Sequence, residues 1–69
     1  MQMKWEDGFR IAVRAEDGEA TISANREGLI SLANHLLALS REAAGGHIHF
    51  DTYNSLEEGS AELIVERID

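Results

Sequence analysis

Sixty-nine residues leave room for one small core and no second domain, and the 43% hydrophobic content is enough to build that core. Thirteen acids against six bases give a net charge of −7, which repels nucleic-acid phosphates and anionic lipid and suits a basic protein partner. With no Cys, disulfides, thiolate metal sites and thiol nucleophiles are excluded together, and a cytoplasmic protein fits best.

Met1 to Gly8 holds one Lys and then two acids, with no apolar run of the kind a signal peptide needs. Met1, Met3 and Trp5 alternate, so a short N-terminal strand is one reading; Trp5 folding over the core edge from a loop is the other. Glu-Asp-Gly then occurs twice, at Glu6–Gly8 and Glu16–Gly18, and Asp-Gly is a hairpin signal because both residues tolerate positive φ. Phe9, Ile11 and Val13 alternate with Arg10, Ala12 and Arg14, predicting a strand with one buried face. Ala20, Ile22 and Ala24 alternate with Thr21 and Ser23, predicting its hairpin partner across Asp17-Gly18.

Asn25 is an N-cap residue, with Glu27 placed favourably against the helix dipole. Leu29, Leu32, Ala33, Leu36, Ser40 and Ala43 recur at helical spacing, flanked by Ile30, Leu37 and Leu39. At ~100° per residue these fill one broad side, expected to face the sheet, while Ser31, Asn34, His35, Arg41 and Glu42 fall on the other. Gly45-Gly46 predicts a left-handed C-cap. No apolar run approaches the ~20 residues of a membrane span; the densest is Leu36 to Leu39.

Ile48 and Phe50 alternate with His47, His49 and Asp51, predicting a third strand. Ser55-Leu56-Glu57-Glu58 has capping-box spacing, which predicts one helical turn before Gly59. Ala61 to Ile68 predicts the last strand, with Leu63 and Val65 on one face and Ile64 and Ile68 on the other. The sum is an α+β fold in ββαββ order, one amphipathic helix on a mainly antiparallel four-stranded sheet. Its open face would carry Arg10, Ala12, Arg14, Thr21, Ser23, His47, His49, Ile64 and Glu66, a mixed surface through which two copies could pair.

Chemistry finds little purchase. His47-x-His49-x-Asp51 puts two imidazoles and a carboxylate on one strand face, a candidate for zinc or non-haem iron only if further ligands converge from elsewhere. Asp51 to Glu62 has the span of a calcium loop, but Tyr53 takes the third position and Leu56 the sixth, where the turn needs Gly. No Ser stands in a Gly-x-Ser-x-Gly elbow, no Gly-rich phosphate loop is present, and the adjacent acids Glu57-Glu58 point apart. So short a chain has trouble enclosing a substrate pocket while keeping a core, so catalysis and a bound cofactor are not expected. The acidic loop of Asp51, Tyr53, Glu57 and Glu58 is the candidate partner contact, with Tyr53 as its aromatic anchor.

Three stretches carry a family resemblance: Asn25-Arg26-Glu27-Gly28-Leu29 with Leu32-Ala33-Asn34-His35-Leu36; Gly46-His47-Ile48-His49-Phe50-Asp51; and Leu56-Glu57-Glu58-Gly59-Ser60-Ala61-Glu62-Leu63-Ile64-Val65. Over roughly residues 19 to 68 the chain resembles the Imm32 group of bacterial immunity proteins. Where members carry a Trp-Gly segment after the His-containing strand, this chain has Thr52-Tyr53-Asn54. The resemblance implies a non-enzymatic antidote that binds and neutralises a toxin encoded beside it. The acidic charge adds that the toxin would be basic. The competing reading is a self-associating domain with a structural or regulatory role.

Overall fold

A computed structural model describes residues 4–69. The elements are β1 (Ile11–Glu16), β2 (Glu19–Ala24), α1 (Arg26–Ser40), β3 (His47–Phe50) and β4 (Leu63–Glu66), the expected ββαββ order. Of the alternative N-terminal strand, Met1 and Met3 lie outside the described residues, and Trp5 is half-buried in irregular chain.

β1 and β2 pair antiparallel from Ile11↔Ala24 to Glu16↔Glu19. Asp17 and Gly18 at the tip both take positive φ, 53° and 78°, the two-residue turn whose twist matches the strands it joins. β3 and β4 form a second antiparallel pair, His47↔Glu66 to Phe50↔Leu63. The strands thus form two two-stranded ladders, and a specific local feature keeps them from merging. The carbonyls of Ile11 and Val13 accept from the N–H groups of Glu57 and Ala61, at 2.8 and 2.9 Å. The five residues Glu57–Ala61 therefore oppose the three residues Ile11–Val13, because a turn closed by Ser60 N–H to the Glu57 carbonyl, 3.1 Å, bulges out of the pairing. The Val13 N–H that this bulge strands is met by the Ser60 hydroxyl at 3.1 Å. The predicted helical turn at Ser55–Glu58 does not form; residues 52–55 and 58–59 make two separate turns, with Leu56 buried between them. The last strand is likewise shorter than Ala61–Ile68, because its first residues serve β1.

The core joins Ile11 and Val13 of β1, Leu32 and Leu39 of α1, Ile48 and Phe50 of β3, and Leu56. Leu63 and Val65 pack against it, as their shared strand face predicts, and Ile64 and Ile68 face outward. Asn25 caps α1 as expected, its Oδ1 accepting from the Gly28 N–H at 2.8 Å. The same side chain accepts from the Arg10 N–H and donates to the Gly8 carbonyl, both 2.9 Å, so one residue ties the helix start to the approach of β1.

The helix corrects two expectations. It stops at Ser40, with Arg41 as a right-handed C-cap, a turn before Gly45-Gly46. The N–H groups of Arg41 and Glu42 close the last turn on the carbonyls of Ala38 and Leu39, at 3.1 and 3.0 Å, and the Arg67 guanidinium donates to the carbonyls of Ser40 and, just beyond the helix, Glu42. The second correction is larger. The buried positions are Gly28, Ser31, Leu32, His35, Ala38 and Leu39, while Leu29, Leu36 and Leu37 are 56%, 46% and 54% exposed. The side predicted to be polar and outward is largely the inward one. Gly28 shows part of the cause: a Cβ there would sit 2.5 Å from the Arg10 carbonyl oxygen, so the helix approaches β1 through this backbone.

Candidate protein-binding surface

Beyond β3 the chain reverses over Asp51–Leu56, and Asp51 holds the reversal together. Its carbonyl accepts from the N–H groups of Asn54, Ser55 and Leu56 at 3.3, 3.0 and 2.8 Å. Its Oδ1 accepts from the N–H groups of Tyr53 and Asn54 at 2.9 and 3.1 Å, an Asx turn. Asn54 closes the other side, accepting from the Asp51 N–H at 3.1 Å and donating to the His49 carbonyl at 2.8 Å. Buried Leu56 pins the far end to the core. A loop so cross-tied loses little further freedom when a partner arrives. Of the four candidate contacts, half-buried Asp51 is a scaffold whose Oδ1 is already engaged. Tyr53 stands 97% exposed at the tip, and Glu57 and Glu58 are exposed in the following turn.

His47 and His49 do share the outer face of β3, their ring centroids 5.1 Å apart. His49 Nδ1 lies 3.1 Å from Glu62 Oε2 on the facing chain, and His47 Nδ1 is 3.2 Å from the Gly45 carbonyl. Asp51 does not join them, because the strand ends at Phe50 and the Asp51 carboxylate turns to the loop backbone. Among the described residues no group of three or more His, Asp or Glu is placed to hold a metal ion.

The N-terminal segment makes a third feature, with Trp5 folded over the core edge from irregular chain. Trp5 stacks on Phe9 at 4.5 Å between centroids, tilts over His35 at 3.9 Å and meets the edge of Phe50 at 6.3 Å. The polar side of α1 receives this N-terminal segment: Ser31 Oγ accepts from the Glu6 N–H at 2.8 Å, and Asn34 donates to the Lys4 carbonyl at 3.2 Å. His35 is fully buried, and its Nδ1 lies 2.7 Å from the Ser31 carbonyl. A carbonyl only accepts, so Nδ1 carries a hydrogen, and buried Nε2 meets no hydrogen-bond partner. The available signal was the spacing of Ser31, Asn34 and His35, three polar groups on one helical face with Trp5 and Phe9 waiting for a surface.

An open groove of about 380 Å³ beside the first hairpin is lined by residues including Arg10, Ala12, Ser23, Asn25 and Glu57. Its ionisable members are Arg10 and Glu57, and Ile11 and Ala24 add apolar lining. No helix among the described residues is long and apolar enough to cross a membrane. Residues 19–68 match the family model described as Immunity protein 32, a span from the start of β2 through the acidic loop and β4. No curated protein and no solved structure matches the chain.

Proposed function

The chain belongs to the Immunity protein 32 family, and we propose that it binds a toxin protein and neutralises it without catalysis, in the cytoplasm of the cell that makes both. The family match carries this reading. The cross-tied loop supports it by offering Tyr53, Glu57 and Glu58 on a backbone that is already ordered. An aromatic anchor beside carboxylates suits a basic partner, and the net charge of −7 would speed its approach. Neutralisation then follows from occupying the toxin's surface.

The test is co-expression with the product of the neighbouring toxin gene, scored by growth and by co-purification. Rescue of growth with a stable complex is expected, with association slowed as salt screens the charges. Tyr53→Ala combined with Glu57→Gln and Glu58→Gln should weaken capture while leaving the urea midpoint unchanged. Rescue without any complex, or a complex indifferent to both salt and these changes, overturns the proposed contact.

A further inference from the structure

The exposed side of α1 is unusual for a helix facing water. Leu29, Leu36 and Leu37 are each about half exposed, Ala33 is exposed between them, and from Gly28 to Ser40 there is no Asp, Glu, Lys or Arg. An outward helix face ordinarily carries the charges. Here the two charges of the wider segment Ala20–Ser40, Arg26 and Glu27, lie 3.5 Å apart and cancel. The whole net charge of −7 therefore resides elsewhere on the chain.

We propose that this face binds a second copy of the chain in an antiparallel, two-fold contact centred on Ala33. The apolar pattern is self-complementary about that residue. Reversing the helix through Ala33 brings Leu29 onto Leu37 of the second copy and Ile30 onto its Leu36, and the small Ala33 meets itself on the axis. An isologous contact requires such a pattern, because each residue must suit the residue its own reversal supplies. Charge selects the same occupant. Two chains of −7 repel wherever their acids meet, and the helix face is where they approach without that cost. A basic partner gains no attraction there. The back of the β3–β4 pair, by contrast, sets Ile64 among Glu62, Glu66 and two histidines.

A 15-residue helix is about 22 Å long, so the contact is smaller than the ~800 Å² per partner of a standard interface, and the dimer should be weak. Sedimentation equilibrium from about 1 μM to about 1 mM should show a reversible monomer–dimer transition. Leu36→Glu should move its midpoint up at least ~10-fold, with the unfolding curve at low concentration unchanged because the site is exposed. The chain has no Cys, so single-cysteine variants report contact directly. Ala33→Cys should cross-link to itself with a short bismaleimide, and Tyr53→Cys should not. A wild-type chain that stays monomeric throughout, equal cross-linking at both positions, or a dimer broken by Ile64→Glu and not by Leu36→Glu would each overturn the proposal. So would a monomeric wild type whose toxin capture is lost with Leu36→Glu, since the face would then be the toxin's. The dimer does not rest on the antidote reading, and co-expression rescue tests that reading separately.

Discussion

The two sides of α1 invert the usual division of labour. The inner side buries a serine and a histidine completely, while the outer side leaves three leucines about half in water. The inner side works because its polar groups have assigned partners: Ser31 Oγ takes the Glu6 N–H and donates to the Glu27 carbonyl, and His35 Nδ1 binds the Ser31 carbonyl. A buried polar group costs free energy only to the extent that its hydrogen bonds go unmade. Nε2 of His35 is the one exception among the side chains of the described residues, and it is enclosed by Trp5 and Phe50, aromatic surfaces that gain from contact with a planar ring. Position on a helix is thus decided by what the rest of the chain brings to it.

Truncating one leucine on the inner side breaks this comparison most sharply. Leu39→Ala removes a side chain from the core cluster that also holds Val13 and Ile48, and should cost about 2–5 kcal/mol by urea unfolding. For a chain this small that is a large part of the whole stability. A cost below about 1 kcal/mol would mean that Leu39 lies at a surface and that the helix faces the other way.

Most of the fold was legible because its signals are local. Asp17-Gly18 can make the observed hairpin turn without help, and Asn25 caps the helix through its own side chain. The alternation of Ile48 and Phe50 needed only a sheet face to bury. The helix orientation was not legible, because apolar residues nearly surround α1: Leu32 and Leu39 point inward as Leu29 and Leu36 point outward. Periodicity then favours one side only weakly, and the decision passes to distant residues, Trp5 against His35 and the Arg10 carbonyl against Gly28. The split of the sheet was hidden for a similar reason, since it depends on the turn at Glu57–Ser60 opposing β1. In the candidate site, exposed Tyr53, Glu57 and Glu58 stood out as a loop, whereas the structural use of Asp51 required knowing which N–H groups come to it.

The next effect is smaller and tests the polar side. Ser31→Ala leaves the Glu6 N–H without its acceptor, and should cost roughly 1–2 kcal/mol. The loss should be felt first in the N-terminal segment. Amide exchange at residues 5–9 should rise, and Trp5 fluorescence should shift red as the ring leaves His35. Loss of stability without either change would mean that Ser31 acts only on its own helix through the Glu27 carbonyl.

Leu37→Ala should have the smallest effect, and that smallness is informative. Leu37 is 54% exposed, so little transfer free energy is lost on truncation, and Ala is at least as good a helix former. At low micromolar concentration the unfolding free energy should stay within about 0.5 kcal/mol of wild type. At high concentration, where a dimer adds to stability, the variant should fall behind, because only the folded chain presents the helix face. The same substitution would thus be silent in one regime and visible in the other. A cost above about 1 kcal/mol at dilution would show that the outer leucines are used within the chain itself, and the contrast between the two sides of α1 would collapse.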